Sequence, residues 1–260
     1  MSLTYTNYLK IDDLLNLQKP QSDPEEHDEM LFIIIHQTYE LWFKQILHEF
    51  DLLRTELNNG ETWTAIKTMS RILTIMKTLV GQVDILETMT PLEFNSFRGF
   101  LESASGFQSV QFRELELLCG LRSEHIMEIH KRNPIHARRL QNRLDEQTIW
   151  EAFCRYLIKT GHEIDMPQRV HANGLMFEPS KQIQQVLIKI MRKGEESALL
   201  CERLVDFDEG LQEWRYRHVK MVQRTIGTKK GTGGSDGVEY LSETLHKPVF
   251  PDLWAIRTQF

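Results

Sequence analysis

Apolar residues recur at intervals of three and four through most of the chain, and strict apolar–polar alternation is nearly absent. That spacing gathers side chains on one face of an α-helix instead of on alternate faces of a strand. Phe32, His36, Tyr39, Phe43 and Leu47 share one such face, and Phe94, Phe97, Arg98 and Leu101 share another. Nearer the C-terminus Leu211, Trp214, His218, Met221, Val222 and Thr225 form a third. Capping chemistry sets the boundaries. Asp23-Pro24, Thr90-Pro91-Leu92-Glu93 and Asn133-Pro134 each place a capping side chain before a proline at the first helical position, and Glu93 completes a capping box. Pro179 opens a segment with Ile183, Val186, Leu187 and Ile190 at helical spacing. Gly120, Gly161 and Gly227 follow helical segments, where a left-handed cap belongs. The pattern predicts helices over about 24–58, 61–87, 91–103, 107–119, 134–143, 147–160, 179–207 and 209–226, with a short one after Pro251. Asp165 to Phe177, with Pro167, Asn173 and Gly174, reads as an excursion. The expected fold is all-α, a helical bundle in a single domain over 1–260.

Composition narrows the class. The 260 residues are 41% hydrophobic and 26% charged, which suits a soluble globular protein with a sizeable core. A net charge of -6 argues against dedicated nucleic-acid binding. The best basic cluster, Arg215, Arg217, Lys220, Arg224, Lys229 and Lys230, spreads around a helix. It reads as solvated surface or as a contact for an anionic cofactor group. Cys119, Cys154 and Cys201 are scattered and odd in number, so a disulfide framework is not expected and a reducing compartment is. The first residues lack a signal-peptide pattern, and the longest apolar run, Met30 to Ile35, is too short to cross a bilayer. The expectation is a cytoplasmic protein with no membrane and no nucleic-acid partner.

Three residues carry candidate chemistry. His218 lies on a mostly apolar helix face just before the glycine-rich stretch Gly231-Thr232-Gly233-Gly234-Ser235-Asp236-Gly237. A neutral imidazole so placed can be an axial ligand to haem iron, although a lone histidine there is more often a hydrogen-bonded core residue. His36 projects among aromatic rings, and the same two readings apply. Arg98 places a guanidinium among Phe94, Phe97 and Leu101, where it needs an anion: an internal Asp or Glu, or a ligand carboxylate. The glycine-rich stretch fits neither G-x-G-x-x-G nor the Walker pattern, which leaves a lid, an anion site or a plain loop. His48-Glu49 and His162-Glu163 lack the second histidine of a zinc protease motif. Cys-x-x-Cys-His is absent, so any haem would be held without covalent attachment. His27, His125, His130, His136, His171 and His246 sit in polar contexts and read as surface residues.

Several longer blocks occur in one order. They are Leu3-Thr4-Tyr5-x-x-Tyr8-Leu9, then His27-Asp28-Glu29-Met30-Leu31-Phe32 leading to His36-Gln37-Thr38-x-Glu40-Leu41-Trp42. Phe97-Arg98 and Ser105-Gly106-Phe107-Gln108-Ser109 follow, then Trp214-Arg215-x-Arg217-His218, Gly231-Thr232-Gly233-Gly234-Ser235 and Pro251-x-Leu253-Trp254-x-x-Arg257-Thr258. Through nearly its whole length the chain resembles the tryptophan 2,3-dioxygenase family. The resemblance implies one non-covalent haem b per subunit, ferrous when active, in a helical homotetramer. It implies cleavage of the indole 2,3-bond of L-tryptophan by O2 to N-formyl-L-kynurenine, the first step of tryptophan catabolism by the kynurenine pathway. It makes His218 the iron ligand, His36 the residue that meets the indole N–H, Arg98 the partner of the substrate carboxylate and Thr232 a contact at the amino-acid end. Phe32 becomes a wall of the indole pocket, and Ser105 and Gly106 lie beside the haem. Tyr5, Tyr8 and Leu9, in an arm over 1–20, reach a neighbouring subunit's site. Phe94 stands where some members carry a tyrosine that also bonds the carboxylate, so Arg98 and Thr232 hold that end without it. Three other functions stay open at this stage: a related haem enzyme inserting one oxygen atom into an indole, a haem sensor without turnover, and a purely structural helical protein.

Overall fold

A computed structural model describes residues 2–170, 174–229, 231, 238–245 and 247–260, apart from the side chains of 239, 240 and 243. Thirteen α-helices appear among these residues, and the sole extended pairing there is an isolated bridge between Leu121 and Leu175. Three long helices organise the rest: α3 (His27–Asn59), α4 (Thr62–Leu86) and α11 (Glu196–Ile226). The α4 helix makes its most extensive packing against α11 and α3. Around them lie α5 (Pro91–Arg98), α6 (Val110–Leu118), α7 (Glu124–His130), α8 (Pro134–Asp145), α9 (Ile149–Lys159) and α10 (Lys181–Lys193). Short helices complete the set: α1 (Tyr5–Leu9) and α2 (Ile11–Leu15) at one end, α12 (Val238–Glu243) and α13 (Pro251–Ala255) at the other.

The caps expected at Thr90 and Asn133 are present, the first as a full capping box with Glu93. At Pro24 the expectation fails. The helix begins three residues later because Glu29 is buried and gathers the preceding chain. Its carboxylate accepts from Gln21 N (2.8 Å), Ser22 N (2.9 Å) and Ser22 Oγ (2.6 Å), while Ser22 Oγ accepts from Glu26 N. Pro179 likewise stands outside α10, which Ser180 caps. Gly120 adopts the left-handed cap expected of it, with φ +80°. Gly227 ends α11 with φ 63° and ψ −132°, positive but outside the left-handed helical region.

The break expected near residue 208 is absent. It falls at Gly194, in the left-handed conformation, and α11 runs unbroken for 31 residues. Asp208 lies inside α11 and is fully buried. Its Oδ2 accepts from Val249 N (2.9 Å), Phe250 N (3.0 Å) and the Trp254 indole N–H (2.9 Å). This carboxylate pins the C-terminal segment across the middle of α11.

The described stretches 161–170 and 174–180 lie outside the helices, in keeping with the excursion expected over Asp165 to Phe177. Arg169 fastens its first half to Glu151 (2.7 Å) and to the carbonyls of Leu144 and Glu146. Hydrogen bonds from Met176 N to Gly120 O and from Arg122 N to Gly174 O fasten the second half, which drives Met176 and Phe177 into the core.

One large apolar cluster fills the space between α3, α4, α6, α9, α10 and α11. A smaller one, Ile35, Leu86, Met89, Phe94 and Phe97, closes the end where α5 meets α3 and α11. Between the two clusters lies a cavity.

Candidate functional site

The cavity measures about 250 Å³. Helical periodicity builds its walls. From α3 come Phe32, His36, Tyr39, Glu40 and Phe43, and from α11 come Trp214, Arg215, His218, Met221, Val222 and Thr225. The α5 helix adds Phe94 and Arg98, the turn that follows adds Ser105, Gly106 and Phe107, and α6 adds Phe112, Arg113 and Glu116. Nearly every residue singled out on the three apolar faces thus meets at one place, except Leu47, Phe97 and Leu211, which pack behind the wall in the core.

His36 is oriented by its own helix. Its Nδ1 lies 2.7 Å from the Phe32 carbonyl oxygen, which can only accept, so Nδ1 carries the proton and Nε2 carries a free lone pair. Burial lowers its pKa below the ordinary imidazole value, and the Phe32 bond and Glu40 only partly offset that. The ring packs 4.1 Å from Phe32, which in turn lies 5.8 Å from Phe94 and 5.6 Å from Phe97. Glu40, one turn further on, is held by Gln111, whose side-chain amide donates to the Glu40 carbonyl (2.8 Å) and carboxylate (2.7 Å).

His218 is enclosed by protein except at the edge that opens into the cavity. Burial pushes its pKa down to about 4, and the coupling to His36, felt when that ring is protonated, and the charge of Arg113 act in the same direction. Two imidazoles from different helices are therefore close enough to sense each other, and both are neutral at physiological pH. Among the described residues His218 makes no hydrogen bond. The ring is only partly buried, and its open edge leaves a nitrogen available to a group in the cavity.

A charged cluster, which the sequence reading did not assemble, lines the same space. Glu116 accepts from Arg113 through one oxygen (2.5 Å) and from Arg215 through the other (3.0 Å). Arg215 also donates to the Thr244 carbonyl, and Arg113 lies over the rings of Phe107 and Phe112 at 5.1 and 5.2 Å. Two guanidinium groups face one carboxylate, so this wall is net positive. The pair at 113 and 116 has helical i, i+3 spacing and was visible in sequence, but its link to Arg215 is a tertiary contact. Arg215 is 5% exposed, which corrects its reading as solvated surface. Arg217 and Arg224 do lie outside, paired with Asp84 and Glu87.

His130 also departs from expectation. It is buried, its Nε2 has no hydrogen-bond partner, and its ring lies 5.8 Å from His136. Its polar sequence neighbours hid a position where α7 folds back on α8. Tyr5, Tyr8 and Leu9 do not line the cavity of their own chain: they stand 75%, 69% and 42% exposed on α1, which buries none of its residues. Thr232, with residues 233–237, lies outside the described residues, as do His171 and His246, while Gly231 does line the cavity. Cys119, Cys154 and Cys201 are free and buried, and burial pushes each thiol up. No helix of the described residues is long and apolar enough to cross a membrane.

Comparison with known proteins bears on this cavity. A relative named tryptophan 2,3-dioxygenase from Herpetosiphon aurantiacus is 56% identical over 258 residues, covering 98% of this chain and 98% of its own. One of the same name from Anaeromyxobacter sp. (strain K) is 51% identical over 257 residues, covering 98% and 96%. A third, from Caulobacter vibrioides, is 39% identical over 260 residues, covering 99% and 98%. The family model described as tryptophan 2,3-dioxygenase matches residues 1–155 and 179–260. The gap between the two matched stretches falls on the last turns of α9 and the excursion, and every element that lines the cavity lies inside them. On that coverage the chain belongs to the tryptophan 2,3-dioxygenase family.

Proposed function

We propose that residues 1–260 act as one haem-dioxygenase domain that opens the indole 2,3-bond of L-tryptophan with O2 and releases N-formyl-L-kynurenine. Both oxygen atoms enter the product, so the overall reaction needs no external reductant. The observation that carries this reading is the meeting of two neutral imidazoles and an arginine, His36, His218 and Arg98, in a cavity walled by aromatic rings.

The side chains present fit a haem. His218 offers an unprotonated nitrogen with no competing hydrogen bond, as an axial ligand must. Val83, Leu86, Leu101, Met221 and Val222 give apolar surface for the macrocycle, and Arg113 with Arg215 gives positive charge for its acidic substituents. Ser105 and Gly106, in the turn before α6, stand beside it in this reading. The chemistry such a group supplies when bound in the ferrous state is the binding and activation of O2.

The remaining work belongs to the chain. Nε2 of His36 accepts the indole N–H, because Nδ1 is already committed to Phe32. The ring thereby orients the substrate, and its pKa is poorly matched to removing so weakly acidic a proton. Phe32 and Phe94, 5.8 Å apart, give the indole its apolar walls. Arg98 takes the carboxylate, and Thr232 takes the amino-acid end. Phe94 carries no hydroxyl, so the ion pair to Arg98 bears that end without a second bond from this position.

The assembly in this reading is a homotetramer in which the arm over 1–20 brings Tyr5, Tyr8 and Leu9 to a neighbouring site. The lack of any buried residue in α1 supports it. The test is a spectrum of the reduced protein with L-tryptophan in air, in which formylkynurenine absorbance grows. Absence of a Soret band after haem supplementation overturns the proposal. Mass spectrometry with labelled O2 separates two inserted oxygen atoms from one.

A further inference from the structure

His36 and His218 both lie in the interior of a long helix, each four residues after an aromatic side chain, yet the two rings are held differently. His36 is fastened through Nδ1 to the carbonyl of Phe32, four residues back. The equivalent residue before His218 is Trp214, and His218 forms no bond to it or to any other described group. Its ring lies flat on the Trp214 indole instead, with centroids 5.2 Å apart and planes 8° from parallel.

The indole is itself fixed. Phe112 packs 4.9 Å from it, and Tyr39 and Phe43 meet it edgewise at 6.3 Å and angles of 67° and 85°. Tyr39 is tied in turn to the Leu79 carbonyl through its hydroxyl (2.8 Å). A histidine that ligates a metal ordinarily donates its second nitrogen's proton to a carboxylate or carbonyl, which fixes the ring and raises its basicity. No described residue does this for His218.

We propose that Trp214 is the positioning residue for His218, holding the plane of the imidazole by stacking where a hydrogen bond would otherwise hold it. The proposal rests on the reading of His218 as the axial ligand. Stacking fixes orientation without drawing on the imidazole proton. The ligand therefore stays a plain neutral imidazole, a weaker donor than one whose proton is shared with a carboxylate. Its bond to iron is correspondingly softer, and its direction depends on the aromatic cage.

The test compares holoenzymes carrying Trp214→Phe, which keeps a ring, and Trp214→Met, which fills space without one. The readouts are the iron–histidine stretch of the ferrous protein by resonance Raman, and the rate of haem transfer to an excess of acceptor apoprotein. Trp214→Met is expected to shift and broaden the stretch and to speed haem loss by roughly tenfold or more, the size seen when a group orienting a metal ligand is removed. Trp214→Phe is expected to keep a narrow stretch near the parent position. An unchanged stretch and unchanged haem retention in Trp214→Met overturn the proposal. If Trp214→Met does not fold, Phe112→Leu frees the indole to tilt, and an unaltered stretch in that variant overturns it equally. Failure of the underlying reading looks different. With His218 as ligand, His218→Gly loses the stretch and regains it on adding imidazole, whereas a stretch that persists in His218→Gly without imidazole removes the axial role itself.

Discussion

Replacing Glu116 with glutamine isolates the energetics of the charged cavity wall. The carboxylate is 14% exposed and bridges Arg113 and Arg215, whose side chains are 8% and 5% exposed. Glu116→Gln keeps the shape, removes the charge and turns an N–H2 group toward one of the two guanidinium groups. Removing one partner from a buried ion pair costs about 3–5 kcal/mol, because the remaining charge stays desolvated and unpaired. Here two charges are left. Arg113 keeps its contacts with Phe107 and Phe112, and Arg215 keeps the Thr244 carbonyl, so the lower end of the range applies. The expected loss is about 3 kcal/mol, more than a hundredfold in the folding constant at 1.4 kcal/mol per tenfold. Urea unfolding followed by circular dichroism measures it, with haem occupancy matched between proteins, since a bound ligand adds stability of its own. The double variant Glu116→Gln/Arg215→Met is expected to recover about half of the loss, because one stranded charge is gone and its volume is refilled. A loss below about 1 kcal/mol in the single variant refutes the reasoning and means that water in the cavity already screens both arginines.

Other expectations follow from single contacts. Phe97→Ala, at a fully buried ring behind Phe32 and Phe94, is expected to cost about 3–5 kcal/mol and to raise KM for tryptophan through slack in the indole wall; an unchanged KM in folded protein would contradict the packing argument. Gly120→Ala meets both a φ of +80° and the Phe177 ring 3.3 Å from the new Cβ, so thermal unfolding should show a loss of about 1–3 kcal/mol. Burial alone would raise the Glu151 carboxyl, but Arg169 and Thr148 outweigh it and hold its pKa below the ordinary value. Its contribution is therefore complete above roughly pH 5 and drains away as pH falls through the folded pKa, so Glu151→Gln should flatten the acid limb of a stability–pH curve. Burial keeps His36 neutral below the ordinary imidazole pKa, so tryptophan binding measured against pH should lose its N–H acceptor at a lower pH than protonation of an ordinary imidazole would dictate.

The helices that carry the site were legible because each presents one continuous apolar face: α3 through Phe32, His36, Tyr39 and Phe43, and α11 through Trp214, His218 and Met221. Two signals misled for the same reason. A helix break is expected between 207 and 209, yet Asp208 is buried inside one continuous helix as an acceptor of three N–H groups and Gly210 packs against Met76. Asp23-Pro24 resembles a helix start, yet Glu29 captures the chain and delays it. In both places a tertiary partner decided what local propensity could not. The same applies to Arg215, whose burial depends on a helix far away in sequence, and to His130, buried where α7 folds back on the helix that follows it. Cavity residues from the three long apolar faces could be grouped in advance, whereas the Arg113–Glu116–Arg215 bridge needed the fold.

The knot at Asp208 gives the far end of the chain a say in the site. None of residues 247–260 lines the cavity, yet Val249, Phe250 and Trp254 all close on a carboxylate between two and three turns upstream of His218 on the same rod. Cutting the tail would strand a negative charge in the interior and unlatch the helix that holds the imidazole. Carboxy-terminal fusions and truncations should therefore register first as leaking cofactor, well before the bundle melts.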